Sequence, residues 1–262
     1  MTTTYLDGIL ARHRSRAATD TRSIERLRDD AASRVPTRGF GAALAGADGL
    51  GVIAEVKRRS PSKGDLFADL DPAEVARQYR TGGATCLSVL TDEESFGGSS
   101  ADLQAARGAV DLPVLRKDFT VAAHDVLDAR CMGADAVLLI AAALDDAELA
   151  DFHALAIEVG LDALVEIHDE PELERALAVG ATLVGVNQRD LVTFEVDHDR
   201  AVRMAPQFPA GVVSVAESGV RGADDAAALA AAGYDAVLVG ESLVTSGDPA
   251  GAVAALRTGA PR

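Results

Sequence analysis

The chain has 262 residues, 48% of them hydrophobic, and a formal net charge of −16 at pH 7. A chain of this size can bury one sizeable core, so we expect a single domain over residues 1–262. The strong negative charge argues against a general affinity for nucleic acid or for an anionic membrane surface. Any anionic ligand must therefore be held by local groups.

The termini and apolar runs bear on the protein's location. The opening segment lacks the apolar centre of a signal peptide, and no apolar run approaches the roughly eighteen residues that span a bilayer. We predict a soluble, cytoplasmic protein. Its two cysteines, Cys86 and Cys131, lack Cys-x-x-Cys spacing and have no His at ligand spacing. We expect both to be reduced and structural, and we predict no metal site.

Residues 1–45 precede the first predicted strand as a helical extension. The pattern predicts one or two helices over residues 4–35, with Asp20 or Thr21 as a helix N-cap. Residues 1–40 carry eight Arg against five Asp or Glu, a net of +3, so the other 222 residues carry −19. This basic segment either lies against an acidic body or forms a solvated helical face.

Between residues 51 and 262, eight short apolar runs alternate with Ala-rich amphipathic stretches, which is typical of βα units around a parallel sheet. The runs are almost wholly apolar, which indicates strands buried on both faces. We predict an α/β fold, a (β/α)8 TIM barrel, because the alternative open sheet usually has fewer strands. The predicted strands are residues 51–56, 86–90, 113–118, 136–140, 163–167, 183–187, 212–218 and 236–241.

Polar residues collect at the carboxyl ends of these strands, where a TIM barrel has its active site. Three carboxylates pointing into one mouth would shift each other's pKa values, which suits acid–base chemistry, although each alone could form an ordinary salt bridge. The five histidines look less informative: His168 is expected in a loop, and the others at surface positions. The strand-end candidates are Glu55, Lys57, Ser60, Lys117, Glu166, Asn187, Arg189 and Glu217.

Lysine usage supports this location. Of 25 basic residues only Lys57, Lys63 and Lys117 are lysines. Two of them end predicted strands and the third lies in the first loop. Because a desolvated lysine can act as an acid or base whereas arginine keeps its proton, proton transfer explains this placement, with chance as the alternative.

Small residues follow the last two predicted strands. Ser218-Gly219 and Gly240-Glu241-Ser242 put backbone N–H groups where an anion can approach a helix start. The sequence therefore predicts a phosphate site formed by Ser218, Gly219, Gly240 and Ser242. Plain turn chemistry is the alternative.

Nine stretches, spread from the first helix to the eighth strand, resemble those of the indole-3-glycerol phosphate synthase family. Several of the stretches are individually specific. They are YLDGILA (5–11), AEVKRRSPSKG (54–64), CLSVLTDEESFGGS (86–99), LPVLRKDF (112–119), GADAVLLIAAAL (133–144), LVEIHDEPELERAL (164–177), VGVNQRDLVTFEVD (184–197), VAESGV (215–220) and LVGESL (238–243).

The resemblance implies a carbon–carbon lyase of tryptophan biosynthesis that uses no cofactor. Its reaction converts 1-(2-carboxyphenylamino)-1-deoxyribulose 5-phosphate to indole-3-glycerol phosphate with loss of carbon dioxide and water. The partner expected is therefore a small, phosphorylated and carboxylated substrate. The oligomeric state is left open, with a monomer favoured.

The resemblance also assigns roles to individual residues. Lys117 matches the general acid of ring closure, and Glu166 and Lys57 match the pair associated with closure and dehydration, with Glu55 beside them. The substrate contacts fall into three groups: hydroxyl contacts at Asn187 and Glu217, neighbours of the anthranilate carboxylate at Ser60 and Arg189, and the phosphate cradle described above. Phe96, with Leu139 as a weaker candidate, would line the slot for the aromatic ring.

The sequence departs from the family pattern at a few positions: Gln188 replaces a usual second Asn, and Arg59 and Phe67 vary the first loop. That loop, residues 58–70, either closes over the substrate or serves as a flexible connector. Two rival functions remain. A phosphoribosylanthranilate isomerase would need a Cys–Asp pair, and Cys86 begins a strand rather than ending one. A non-catalytic phosphate-binding barrel would not need the lysines and Glu166.

Overall fold

Eight parallel strands close into a barrel in the computed structural model, which describes residues 5–61 and 63–257. Each strand pairs with the next along the chain, and β8 pairs with β1. The predicted TIM barrel is confirmed, with strand bounds within two residues of those expected. The strands are β1 Gly51–Val56, β2 Cys86–Leu90, β3 Val114–Lys117, β4 Ala136–Ile140, β5 Asp162–Ile167, β6 Leu183–Asn187, β7 Val213–Glu217 and β8 Ala236–Val239.

Helices precede the barrel and connect its strands. The predicted N-cap of the second helix was wrong: Ser23 holds that position, and its hydroxyl accepts from the Arg26 N–H. Residues 1–4, Ser62 and 258–262, which the predicted bounds include, lie outside the described residues. The helices are α1 Tyr5–Ala18, α2 Ile24–Ala32, α3 Phe40–Ala45, α4 Pro72–Thr81, α5 Glu93–Phe96, α6 Ser100–Ala109, α7 Ala123–Met132, α8 Asp146–Glu158, α9 Glu170–Ala178, α10 Arg200–Met204, α11 Ala223–Ala232, α12 Glu241–Val244 and α13 Pro249–Leu256. None of these described helices is both long and apolar enough to cross a membrane.

The barrel wall separates two apolar clusters because side chains alternate along each strand. Val52, Ala54 and Val56 belong to the outer cluster, which lies between strands and helices. The inner cluster fills the lower barrel with Ile53, Leu115, Leu164 and Val215 among its members. Two residues further along the same four strands stand Glu55, Lys117, Glu166 and Glu217. Within two residues along each of these strands, the barrel interior therefore changes from an apolar layer to a polar mouth.

The N-terminal helices contact both ends of the barrel. Tyr5, Leu6 and Ile9 of α1 line the pocket at the carboxyl ends of the strands. Phe40 of α3 is fully buried in the inner cluster, and the neighbouring Gly41 N–H donates to Asp162 Oδ2 at the start of β5, 2.9 Å away. The extension therefore covers the mouth with one helix and the opposite end with another.

The basic N-terminal segment lies against acidic residues of the barrel's helices. Arg14 pairs with Glu148 at 2.6 Å, and Arg22 pairs with Asp128 at 2.8 Å. These pairs are partly exposed, so each contributes little to stability on its own. The sequence left open whether this segment lies against the acidic body or forms a solvated helical face, and in the structure it lies against the acidic body.

His13 contradicts the expectation that the histidines other than His168 lie at the surface. It is 3% exposed, and its Nε2 lies 3.5 Å from Asp92 Oδ1 and 3.9 Å from Asp118 Oδ1. The Arg16 guanidinium, 2.9 Å from His13 Nδ1, donates to it. His153 is also buried, at 9% exposure. His13, Asp92 and Asp118 have the spacing of a metal site. Each of them has protein partners, and together they join α1 to the connections after β2 and β3.

Asp92 makes this junction sensitive to acid. Burial raises the pKa of its carboxyl. Hydrogen bonds from His13 and from the Ser95 side chain and N–H have a larger, opposite effect and bring this pKa down to about 2. A carboxylate with a depressed folded pKa stabilises the fold above its unfolded pKa of about 3.9 and loses that contribution as the pH falls toward 2.

We therefore expect Asp92→Asn to lower the free energy of unfolding by about 2 kcal/mol at pH 6. The difference from the wild type should shrink between pH 4 and pH 2, in urea titrations at each pH. Asp92 is also the N-cap of α5, so Asp71→Asn, at the exposed N-cap of α4, is the matched control for loss of a cap carboxylate. A deficit that stays constant down to pH 2 would contradict the proposed junction.

Candidate active site

A pocket of about 570 Å³ opens at the carboxyl ends of the barrel strands. Its wall combines apolar side chains from α1 and the barrel interior with titratable groups from the strand ends. The structure brings thirteen of the fourteen residues predicted for the site, all but Leu139, into this wall. They are Glu55, Lys57, Ser60, Phe96, Lys117, Glu166, Asn187, Arg189, Glu217, Ser218, Gly219, Gly240 and Ser242.

The centre of the pocket is an ion triplet. Lys117 Nζ donates to Glu166 Oε2 at 2.9 Å and to Glu217 Oε2 at 2.7 Å. The two carboxylates are 2% and 1% exposed. Because taking a carboxylate out of water costs several kcal/mol, the shared ammonium is what makes this arrangement tolerable.

The triplet separates the proton affinities of its members. Burial lowers the pKa of Lys117, but the surrounding carboxylates raise it more, so the amine stays charged. Burial raises the pKa of Glu166, yet Lys117 and His168 bring it below its usual range. Burial also raises the pKa of Glu217, and there it prevails over the opposing effect of Lys117. Two chemically identical carboxyls thus differ: one favours the anion and the other retains a proton more readily.

A second ion pair lies at the end of β1. Lys57 Nζ is 2.7 Å from Glu55 Oε1, as the predicted shared face requires, and the Ser88 hydroxyl donates to the other Glu55 oxygen at 3.4 Å. Asn187 Nδ2 donates to Glu166 Oε1 at 2.9 Å. The amide therefore fixes the orientation of the same carboxylate that Lys117 contacts.

The predicted phosphate residues come directly after β7 and β8. Ser218 and Gly219 both have left-handed backbone angles, with φ of 65° and 76°. Gln188 Nε2 donates to the Ser218 carbonyl at 2.8 Å, and the Ser242 hydroxyl donates to the Val220 carbonyl at 3.0 Å. These bonds hold two small-residue turns side by side at the ends of β7 and β8.

Ser60 and Arg189 both line the pocket. The buried Ser60 Oγ has no hydrogen-bond partner among the described residues, and Arg189 Nη1 donates to the Phe194 carbonyl at 2.9 Å. The first loop forms a short hairpin, Arg59–Ser60 with Gly64–Asp65, and Arg59 donates to the carbonyls of Glu93 and Glu94 on α5. These contacts anchor the loop beside the pocket.

The apolar slot is partly as predicted. Phe96 lines it and lies 6.3 Å from the ring of Phe119. The prediction that Leu139 lines the slot was wrong. Leu139 is fully buried in the outer cluster, whereas Leu138 and Ile140 line the pocket. In a strand that is apolar throughout, the sequence offers no polar neighbour to set which alternate residues face inward.

Sequence reasoning missed residues that belong to no motif and whose role depends on their neighbours in the fold. Gly185 is one: a Cβ there would lie 2.0 Å from Glu217 Oε1, so the absence of a side chain is what gives that carboxylate its room. His168, placed only in a loop from sequence, lies 4.0 Å from Glu166. Arg221, four residues beyond β7, also lines the pocket. Only its distance from a strand end could have indicated it.

Fold and pocket together define a (β/α)8-barrel enzyme with groups suited to acid–base chemistry. The family model described as indole-3-glycerol phosphate synthase matches residues 6–256. A protein of that name from Nocardioides sp. is 60% identical over 79% of this chain and 80% of its own length. Another, from Mycobacterium avium, is 51% identical over 97% of this chain and 94% of its own length. The chain belongs to the indole-3-glycerol phosphate synthase family, which comprises carboxy-lyases of tryptophan biosynthesis.

Solved structures with little sequence similarity share the barrel. A thiamine phosphate pyrophosphorylase from Pyrococcus furiosus has a TM-score of 0.61 at 18% identity, over 80% of this chain and 95% of its own. A 3-hexulose-6-phosphate synthase has a TM-score of 0.60 at 17% identity, over 79% and 98%. These likenesses concern the fold alone.

Gly185 gives a direct test of how tightly the carboxylates are packed. We expect Gly185→Ala to displace Glu217 from Lys117 and to lower the free energy of unfolding by about 1–3 kcal/mol, measured by urea denaturation. In a Glu217→Ala background only Leu164 Cδ1, 3.3 Å from the added Cβ, remains close, so the same substitution should cost much less.

Gly108→Ala is the matched control, because a Cβ at that helical position meets no heavy atom within 4 Å. It should be neutral or slightly stabilising. An equal cost of Gly185→Ala with and without Glu217 would mean that the strand, and not the carboxylate, requires the glycine.

Proposed function

We propose that this chain is an active indole-3-glycerol phosphate synthase whose chemistry is carried out by Lys117, Glu166 and Lys57. The observation that carries the proposal is the buried ammonium of Lys117 held between two carboxylates at the mouth of the barrel. The substrate would be 1-(2-carboxyphenylamino)-1-deoxyribulose 5-phosphate. Its ring closure, decarboxylation and dehydration require groups that donate and accept protons, and no cofactor enters the proposal.

Ring closure needs an acid at the ribulose carbonyl. As the ring carbon that bears the carboxylate attacks, charge develops on the carbonyl oxygen, and we assign Lys117 to protonate it. Its raised pKa keeps the amine protonated at neutral pH. The alkoxide that develops is more basic than an ammonium ion, so the proton transfer runs in the required direction. Carbon dioxide then leaves and the ring regains its aromaticity.

Dehydration needs both a base and an acid. We assign the base to Glu166, because its depressed pKa keeps it anionic and Asn187 fixes one of its oxygens. Lys57, paired with Glu55, is the group proposed to protonate the departing hydroxyl. Glu217 retains a proton more readily, which suits a hydrogen bond to a substrate hydroxyl, with Asn187 beside it.

The remaining residues are proposed to orient the substrate. Ser218, Gly219, Gly240 and Ser242 would hold the phosphate at the ends of β7 and β8, with Arg221 nearby. Ser60 and Arg189 would contact the carboxylate, and Phe96 the aromatic ring. Ser60 Oγ supports this, since it is buried and unpartnered among the described residues.

The partner we propose is this small anionic substrate, with turnover in the cytoplasm. The net charge of −16 opposes nucleic acid and anionic membranes as partners. Within the pocket, the lysines and Arg189 supply the local positive charge that a phosphorylated, carboxylated ligand needs.

Replacing the acid while keeping its charge tests the chemistry. Lys117→Arg should lower kcat by about 100-fold or more, because a guanidinium is a poor proton donor. Indole fluorescence measures product directly, since the chain contains no Trp. Arg77→Lys on the exposed face of α4 is the charge-preserving control and should keep wild-type turnover.

The same experiment separates the enzyme from a barrel that only binds. Wild-type protein that binds the substrate in calorimetry yet gives no fluorescence would overturn the proposed function. Turnover that survives Lys117→Arg unchanged would remove Lys117 from its assigned role and leave the activity in place.

A glycine pair tests the phosphate site. Gly219 has a φ of +76°, and a Cβ there would lie 2.6 Å from Val196 Cγ1, whereas Gly222 has open space. Gly219→Ala should therefore raise KM by about tenfold or more with a smaller change in kcat, while Gly222→Ala should leave both unchanged. Equal effects of the two substitutions on KM would argue against a phosphate contact at this turn.

A further inference from the structure

His168 lies directly after β5 with its side chain 13% exposed, and its two ring nitrogens face two different carboxylates. Its Nδ1 lies 3.1 Å from Glu172 Oε2, and the same oxygen accepts the His168 backbone N–H at 2.7 Å. Its Nε2 lies 4.0 Å from Glu166 Oε1 and has no hydrogen-bond partner among the described residues. Glu172 thus fixes the ring, and the free nitrogen faces the carboxylate proposed as the base.

The tautomer follows from this geometry. A carboxylate accepts hydrogen bonds only, so Nδ1 must carry the proton that it donates to Glu172. Titration of His168 therefore takes place at Nε2. When Nε2 is protonated the imidazolium attracts the Glu166 carboxylate, and when it is not, a lone pair faces an anion.

The surrounding charges favour the protonated ring. Burial lowers the pKa of His168, but the hydrogen bond to Glu172 and the charges of Glu166 and Glu172 raise it more, against a smaller opposing effect of Arg200. Glu166 in turn faces Lys117 from β3 and His168 from the loop after β5, with the Asn187 amide from β6 and Glu217 from β7 beside them.

We propose that His168, oriented by Glu172, is a positioning residue that holds Glu166 in its anionic form and thereby extends the action of this base to lower pH. The proposal rests on the assignment of Glu166 as the base of the proposed reaction. His168 does not touch the reacting atoms; it acts through Glu166. Glu172, on the first turn of α9, is a second positioning residue, because it orients the His168 ring.

The pH dependence of kcat/KM tests this role. In His168→Asn and His168→Gln the acidic limb should move up by about one pH unit, the size of effect expected from removing an opposite charge at this distance. At pH values below the wild-type limb this corresponds to a loss of up to about tenfold, whereas at pH 7 the variants should match the wild type, since the pKa of Glu166 lies below its usual range and the carboxylate is ionised in both.

Two glutamates of α9 provide a matched pair. Glu172→Gln should move the acidic limb in the same direction, because it removes a charge that favours the imidazolium. Glu170→Gln, two residues away and exposed, should leave it in place. A purely structural role for His168 predicts equal losses at every pH with an unmoved limb, and that result would overturn the proposal.

A binding-independent measurement separates this proposal from the proposed function. NMR titration of the His168 imidazole, assigned by its absence in His168→Asn, should give a lower pKa in Glu166→Gln than in the wild type. A pKa unchanged by Glu166→Gln would refute the pairing even in an active enzyme. A lowered pKa in a protein that turns over no substrate would keep the pairing and reject the function.

Discussion

The ammonium of Lys117 offsets the charge of two carboxylates that the barrel has removed from water, and the rest of the site depends on that balance. Removing one partner of a buried ion pair typically costs about 3–5 kcal/mol, because the other charge is left unpaired. The apolar layer below, which includes Leu115 and Leu164, excludes water and so strengthens the interaction. Gly185 leaves the room that Glu217 needs. The barrel fold, the packing around Glu217 and the pKa values of the three charged groups therefore depend on one another.

The barrel and its mouth were predictable from sequence because both follow from local rules. Eight apolar runs set the strands, and the carboxyl ends of parallel strands meet at one rim, so Glu55, Lys117 and Glu217 had to converge. The predictions failed where the answer depends on tertiary neighbours. Leu139 was assigned to the wrong face because nothing in an all-apolar strand fixes its phase. His13 is buried because α1 packs over the mouth, which its own sequence does not specify.

The N-terminal helices couple the edges of the barrel to its centre. His13 contacts Asp92 and Asp118, and Asp118 directly follows Lys117. The connections that carry Phe96, at the end of α5, and Phe119 are thereby held by a helix from outside the eightfold pattern. This explains how a site assembled from separate strand ends keeps its geometry: the connections after β2 and β3 are anchored by the same buried polar group.

The scarcity of lysine also has a practical side. Lys57 and Lys117 are mostly buried and engaged in ion pairs, while Lys63, in the first loop, is 58% exposed at the rim of the pocket. Amine-directed reagents such as succinimidyl esters therefore meet one accessible side chain, besides the terminal amine, in place of the dozen or so typical of a protein this size. A dye or surface linker attached there would sit on the loop beside the entrance, which makes the natural chain a ready scaffold for site-selective labelling without engineered cysteines.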